Sequence, residues 1–228
     1  MKNQERNQFI AALHPLGNNM EMNADLSLAE AGRDFYQRGW VLGTSGNFSA
    51  VLEANPLRLL ITSSGKSKGH LTADDFVVVD EASLLVSGQG KPSAETSLHV
   101  EIIRQRAATS VLHTHSVCST VLSQIAFPTG HLEITGYEML KGLSGVSTHQ
   151  HTERIPILDN SQDYVSLTAQ LSDALRQYPA AHGVLLRRHG LYTWGSNIAE
   201  ARRHVEILEF LFEAVARELS LSHDPYAG

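Results

Sequence analysis

The chain is poor in several features that would assign it to a class at once. It has one cysteine, Cys118, so no disulfide can form within the chain, and we expect a reducing, cytoplasmic location. No apolar run approaches the ~20 residues that a membrane-spanning helix needs. The first residues lack the apolar core of a signal peptide. Only 18% of the residues are charged, which argues against a disordered tail or a coiled coil.

The net charge also excludes a class of partner. A formal charge of -6 argues against a general nucleic-acid-binding protein, which is usually basic, although it is compatible with a local basic pocket for a phosphate. The 228 residues, 42% of them hydrophobic, suffice for one sizeable core and are too few for two comfortable domains. We therefore expect a single domain over residues 1–228.

The order of predicted helices and strands indicates an α/β fold. Helices are predicted at 26–38, 93–106, 116–125, 161–178 and 197–219, with Asp25 or Ser27, Ser93, and an Asn197–Glu200 capping box at their starts. Strands are predicted at 47–52, 57–62, 76–80, 110–115, 183–187 and 191–194. Because the strands are short and partly neighbouring, we expect an α/β/α layer whose central sheet is mixed or mostly antiparallel and is flanked by helices.

Two histidines lie two residues apart in a predicted strand. Side chains at this spacing point to the same face, so His113 and His115 can reach one metal ion. His189, followed by Gly190 at the end of another strand, would complete a set of three protein ligands, which is typical of catalytic zinc. A chance pair is the alternative, since the chain has twelve histidines. The pair formed by His149 and His151 lies in a polar stretch, which favours a substrate loop or a structural feature there.

Three further segments could bind an anion. Gly43–Ser49 is a glycine-rich turn that enters a strand, where backbone N–H groups can converge on a phosphate. Residues 62–69 follow a strand and carry hydroxyl groups, a glycine and two lysines. Residues 91–96 begin a predicted helix, where free N–H groups favour an anion. The alternatives are a hairpin turn, a solvated loop and a helix start in which Glu95 complements the helix dipole.

The order of these segments resembles the class II aldolase/adducin family. The order is GTSGNFS, SSGKSKG, KPSAET followed by a histidine in the next helix, HTH, and RRHG. The resemblance covers roughly residues 25–215 and leaves 1–22 as an N-terminal extension. It implies a mixed sheet between helices, a homotetramer, and an active site near a subunit interface.

Within the family, the closest likeness is to the dehydratases that act on a methylthio-substituted ketose 1-phosphate in methionine salvage. The segments that carry it are YEMLKG at 137–142 and THQHTE at 148–153, which leads into IPILDNSQD at 155–163. The likeness implies a carbon–oxygen lyase. A sugar-phosphate aldolase or 4-epimerase is the alternative, and a non-enzymatic, adducin-like scaffold is the third possibility.

The resemblance also implies roles for individual residues. It implies that His113, His115 and His189 bind one zinc ion per subunit and that Glu138 is the acid/base carboxylate. Glu95 falls where the aldolases place a carboxylate near the metal. The residues expected to hold the substrate phosphate are Gly46, Asn47, Ser64, Gly65, Lys66 and Ser93.

Overall fold

Nine strands form one sheet in residues 23–222, which are the part of the chain that the computed structural model describes. The expected extension at 1–22 lies outside this part. The strands are β1 (Asn47–Ala54), β2 (Leu57–Thr62), β3 (Phe76–Val79), β4 (Leu85–Gly88), β5 (Ser110–Thr114), β6 (His131–Thr135), β7 (Thr152–Leu158), β8 (Gly183–Leu186) and β9 (Gly190–Gly195). Their order across the sheet is β4-β3-β2-β1-β5-β9-β8-β7-β6.

The sheet is mixed, as the sequence predicts. Every neighbouring pair is antiparallel except β7 and β8, which run parallel. Because β9 is antiparallel to both of its neighbours, β5 and β8 run in the same direction and end at the same edge of the sheet. β1 and β9 begin at that edge, so it collects the loops that precede or follow four central strands.

Five helices cover the two faces of the sheet in the described residues. They are α1 (23–37), α2 (Thr96–Arg106), α3 (Val117–Ile125), α4 (Tyr164–Gln177) and α5 (Ile198–Ser222). Among residues 23–222, no helix is both long and apolar enough to cross a membrane.

The helices and the sheet form three layers. On one face, Leu98 of α2 and Leu167 of α4 pack against the sheet. On the other face, Phe35 of α1, Leu122 of α3 and Leu211 of α5 do so. Each of these side chains is almost fully buried, and burying one side chain of this size contributes about 1.5–3 kcal/mol. The predicted α/β/α architecture is confirmed.

Side-chain caps define where several helices begin. Ser116 Oγ accepts a hydrogen bond from the Ser119 N–H (3.0 Å) at the start of α3. Asn197 Oδ1 accepts from the Glu200 N–H (2.9 Å) at the start of α5, as predicted. The return bond of the expected capping box is displaced by one residue, because the Glu200 carboxylate accepts from the Ser196 N–H instead.

Two predicted helix starts are wrong. Helix α1 is already helical at residue 23, so Asp25 and Ser27 lie within it and do not cap it. Helix α2 begins at Thr96 rather than at Ser93. The physical reason is that residues 91–93 are held extended by pairing with the loop after β2, through the Ser63–Pro92 bridge and a hydrogen bond from the Ser64 N–H to the Lys91 carbonyl.

Three strands have no counterpart in the sequence prediction. Strand β4 is short and exposed along its whole length, so it lacks the alternation of apolar and polar residues that identifies a strand. Strands β6 and β7 form an antiparallel pair at the far side of the sheet. Strand β7 begins directly after His151, in the stretch whose strand character is weak by sequence.

Glu209 of α5 is a fully buried carboxyl group beneath the sheet. Thr114 Oγ1 donates a hydrogen bond to Glu209 Oε1 (2.6 Å). Burial raises the pKa of Glu209 to about 7, against the smaller opposing effect of hydrogen bonds from Ser116 and Thr114. Because this pKa is raised in the folded state, the unfolded chain ionises first as the pH rises. Glu209 therefore costs stability progressively between about pH 4.5 and pH 7, and the cost then stays constant.

We expect Glu209→Gln to remove this pH dependence, because a glutamine mimics the neutral carboxyl. The free energy of unfolding should rise by about 3 kcal/mol relative to the unmodified chain at pH 8 and by less than about 1 kcal/mol at pH 5. Urea unfolding at both pH values measures this. The matched control is Glu213→Gln, one turn later on the exposed side of α5. An equal effect of Glu209→Gln at the two pH values would contradict the prediction.

Candidate metal centre

Three histidines meet at the edge of the sheet where β5 and β8 end. His113 lies in β5 and His115 lies just beyond it, while His189 lies in the turn between β8 and β9. The Nε2 atoms of His113 and His115 are 2.8 Å apart, and those of His113 and His189 are 3.3 Å apart. The donor atoms of all three lie within 4.8 Å of one another and could hold a metal ion.

The histidines are in the protonation state that a metal requires. His113 Nδ1 donates to the carbonyl of Leu191 (2.9 Å), which leaves the lone pair of Nε2 directed at the cluster. Burial, together with the neighbouring charges of His189 and Lys68, lowers the pKa of His115 to about 3. Burial also lowers the pKa of His113 and of His189. Neutral imidazoles with converging Nε2 atoms fit a divalent metal.

Two glycines allow the chain to approach closely enough to build this cluster. A Cβ atom on Gly190 would lie 2.0 Å from the Thr114 carbonyl oxygen, so only glycine lets β9 begin against the end of β5. Gly46 has a φ of +74°, and a Cβ there would lie 2.5 Å from the His113 carbonyl oxygen. Gly190 therefore places His189 beside His113.

Glu95 is a fourth group of the cluster. It directly precedes α2, with its Oε1 atom 3.3 Å from His189 Nε2 and its Oε2 atom 3.7 Å from His113 Nε2. Asn47 Nδ2 donates to Glu95 Oε2 (2.5 Å) and to Ser93 Oγ (3.3 Å). The structure therefore brings Glu95 to the histidines, where its carboxylate can ligate a metal or accept a proton.

A buried chain of hydrogen bonds holds Glu95 in this position. Ser49 Oγ bonds to His99 Nδ1 (2.7 Å), and His99 Nε2 donates to Asn47 Oδ1. Burial lowers the pKa of His99 to about 3, so its ring is neutral. No role for His99 is predicted from the sequence. Its spacing of four residues from Glu95, on one face of α2, is the signal that could have identified it.

The two lysines of the loop after β2 have different surroundings. Lys66, the lysine expected to add charge to the phosphate site, forms an ion pair with Asp75 (2.8 Å) and is half-exposed. Lys68 is buried, and its Nζ donates to the carbonyls of Thr44 and Lys66, both at 2.8 Å. Burial lowers the pKa of Lys68 to about 8, against the opposing charge of Glu95. Lys68 is thus the buried one of the two lysines in the predicted anion-binding segment 62–69, whereas the family resemblance singles out Lys66.

The remaining residues expected to bind phosphate lie in loops beside the histidines. Asn47 pairs with His113 across β1 and β5, and Gly46 precedes it. The loop that holds Ser64 and Gly65 is joined to residues 91–93 by the hydrogen bond from Ser64 to Lys91. Ser64 and Gly65 are exposed, whereas the Asn47 side chain is committed to Ser93, Glu95 and His99.

Glu138 is not brought into this cluster within one chain. It lies in the helical turn Glu138–Gly142, which packs against α5, whereas Glu95 approaches the histidines from α2 on the other face of the sheet. Its side chain is 73% exposed and accepts a hydrogen bond from Lys141 Nζ (2.7 Å). His149 Nδ1 lies 3.8 Å from its other oxygen.

Comparison with known proteins agrees with this geometry. The family model of the class II aldolase and adducin N-terminal domain matches residues 26–216. The chain belongs to this family.

Relatives and solved structures extend the comparison. The chain is 45% identical to a methylthioribulose-1-phosphate dehydratase of Pseudoalteromonas translucida over 86% of this chain and 91% of that protein. It is 44% identical to one of Pseudomonas fluorescens over 85% and 92%. The fold superposes on YgbL of Klebsiella pneumoniae, a putative aldolase/epimerase/decarboxylase, with a TM-score of 0.74, 25% identity, and coverage of 90% and 92%. An L-fuculose 1-phosphate aldolase shares the fold with a TM-score of 0.70, 20% identity, and coverage of 86% and 87%.

We expect His115→Ala to lower the bound divalent metal by about one ion per chain, because two remaining ligands hold a metal far more weakly than three. Metal analysis of protein purified without chelator or added metal measures this. His131→Ala, a half-buried histidine of β6, is the matched control and should retain the metal. Retention of full metal content by a folded His115→Ala variant would show that the cluster is not the binding site.

Proposed function

We propose that this chain dehydrates 5-methylthioribulose 1-phosphate to 5-methylthio-2,3-dioxopentyl phosphate, as a carbon–oxygen lyase of cytoplasmic methionine salvage. The observation that carries the proposal is the identity of 44–45% with methylthioribulose-1-phosphate dehydratases across most of both chains. The convergence of three neutral histidines and a carboxylate supports it, because that arrangement suits metal-assisted chemistry beside a carbonyl group.

We infer that the metal is zinc, one ion per subunit, held by His113, His115 and His189. Three imidazole nitrogens with further positions open are typical of a catalytic zinc site. The bound ion would supply a Lewis acid that stabilises negative charge on the substrate oxygens as a proton leaves. Asn47 and His99 keep Glu95 at this position, so its carboxylate is oriented before the substrate arrives.

The loops beside the cluster suit the substrate phosphate. Backbone N–H groups of Gly46 and Gly65 and the hydroxyls of Ser64 and Ser93 can donate hydrogen bonds that orient the phosphate. Lys68 supplies a buried positive charge close to the histidines, and Lys66 lies further out with Asp75. Holding the phosphate at one end fixes the position of the reacting carbons at the other.

Dehydration requires two proton movements. The proton on C3 must be removed, and the hydroxyl on C4 must leave as water with an added proton. We assign Glu138 to one or both of these movements. The enol formed by loss of water then tautomerises to the 2,3-diketone.

The position of Glu138 implies a second subunit. Glu138 is exposed and paired only with Lys141 and His149 among the contacts of the described residues, so it has to reach the histidines of another copy. Helix α3 starts two residues after His115 and carries the exposed apolar residues Val117, Val121 and Ile125 at helical spacing. They line an apolar groove between α3 and α5. We infer that a neighbouring copy covers this surface in a homotetramer.

The reaction itself separates dehydration from the alternatives. An aldolase would use the same metal but break the C3–C4 bond and release an aldehyde. We expect diketone formation from 5-methylthioribulose 1-phosphate, and Glu138→Gln should lower kcat by a factor of about 100 or more, because general acid/base catalysis contributes about 10²–10⁴. Diketone formation is followed spectroscopically and aldehyde release by a coupled assay.

The matched control for this prediction is Glu133→Gln, an exposed carboxylate of β6 paired with Arg154, which should retain the rate. Aldehyde release without diketone would establish the aldolase reaction. A full dehydration rate in Glu138→Gln would remove Glu138 from the mechanism. Absence of both activities in metal-loaded protein would favour a scaffold.

A mixed oligomer tests whether Glu138 acts across subunits. We expect Glu138→Gln and His115→Ala chains to be inactive separately and to regain activity when co-expressed and purified together through different tags. A complete site needs histidines from one variant and Glu138 from the other, so random assembly restores about a quarter of the sites. If both groups came from one chain, every site in the mixture would lack one of them and no activity would return.

A further inference from the structure

A second cluster of potential metal ligands lies at the other end of β8. His151 directly precedes β7 and His182 directly precedes β8, and these strands run parallel. Residues at the start of parallel neighbours lie at the same edge of a sheet, so two histidines 31 positions apart become neighbours. Glu153 of β7 lies between them and is fully buried.

The ligand atoms of this cluster converge on one point. His151 Nε2 and His182 Nδ1 each lie 2.9 Å from the same atom, Glu153 Oε2. One nitrogen of each histidine and one carboxylate oxygen lie within 4.8 Å of one another, which is the same limit that the histidine cluster meets.

The other polar atoms of His182 and Glu153 are already held by the backbone. His182 Nε2 donates to the Ser144 carbonyl (2.8 Å), and Glu153 Oε1 accepts from the His182 N–H (2.8 Å). Metal ligands typically have this arrangement, in which the atom that does not bind the metal is oriented by a hydrogen bond. His204 is excluded as a further ligand, because its Nδ1 donates to the Trp194 carbonyl and its Nε2 accepts from the Ser144 N–H.

A cavity gives access to the cluster. It has a volume of about 420 Å³ and is bordered by His151, His182, Gly145 and Glu200. Two histidines and one glutamate would fill three positions of a tetrahedral site, and the cavity leaves room for water in the fourth.

We propose that His151, Glu153 and His182 form a second zinc site, separate from the centre formed by His113, His115 and His189. Without metal, the same residues form a buried ion pair, in which the Glu153 carboxylate raises the pKa of His182 against the effect of burial. Zinc would replace the proton shared between these groups and supply the positive charge that a buried carboxylate needs. The ion would tie the start of β7 to the start of β8.

A metal at this site would also affect the segment that precedes β7. His151 lies two residues after His149, which faces Glu138, and Ser144 precedes the same loop. A metal at this cluster would anchor the segment 144–151 against β8. Its role is therefore structural, and the proposal does not depend on which reaction the chain catalyses.

Zinc stoichiometry of the full chain tests the proposal. We expect two zinc ions per chain in equilibrium dialysis over a range of buffered free zinc, and one ion in His151→Ala and in Glu153→Gln. The glutamine variant keeps the size of the buried group, and its amide can donate to the two imidazoles where the carboxylate accepted from them, so it separates loss of metal from loss of folding. His149→Ala, an exposed histidine two residues away, is the matched control and should bind two.

Thermal unfolding gives a second measure that is independent of the first centre. In a His115→Ala background, zinc should still raise the Tm, because binding to the folded state alone stabilises it. The rise should be lost in His115→Ala/His151→Ala. One zinc ion per unmodified chain would overturn the proposal, as would a second ion that persists in both His151→Ala and Glu153→Gln.

Discussion

The antiparallel pairing of β5 with β9 is the constraint on which the metal centre depends. This register places Thr114 opposite Leu191, and the Leu191 carbonyl then accepts the proton of His113 Nδ1. One hydrogen bond therefore joins two strands and selects the tautomer whose Nε2 can bind a metal. A slip of one residue would turn His113 to the other face of the sheet. The glycine at position 190 permits this register, because any side chain there would collide with the end of β5.

Burial makes the edge of the sheet chemically different from its surroundings. The low polarity that keeps His113 and His115 neutral would be costly for an isolated charge, so Lys68 donates two hydrogen bonds to backbone carbonyls and Glu95 accepts one from Asn47. Glu95 receives its support from Asn47, His99 and Ser49, a chain that passes from β1 to α2 and back. Both charges are therefore oriented by the fold before any ligand binds.

The geometry of the histidine cluster indicates the type of chemistry, and the family relationship indicates which reactions of that type to consider. The histidine cluster suits any reaction that develops negative charge beside a carbonyl group, and aldolases and dehydratases both do so. In our proposal, the outcome is decided by Glu138, a group outside the cluster of its own chain. Assembly of subunits would then complete the catalytic site, which would explain why an exposed carboxylate and the apolar surface of α3 occur in one chain.

The sequence by itself determined features that depend on short spacing. The same-face geometry of His113 and His115, the cap formed by Asn197, and the order of glycine-rich loops all follow from residues close in the chain. The α/β/α architecture was predictable from the order of elements. Strand β4 was not, because its residues lack a clear period and only pairing with β3 defines it. Strand β6 alternates apolar and polar residues, and this short signal was missed.

Only the tertiary structure decided which distant residues meet. It brought Glu95 and His99 to the metal centre, buried Lys68 rather than Lys66, and left Glu138 outside the cluster. It also joined His151 to His182, which the sequence separates by a helix. The physical reason is that local spacing defines which face a side chain occupies, whereas strand order and direction define what lies opposite that face.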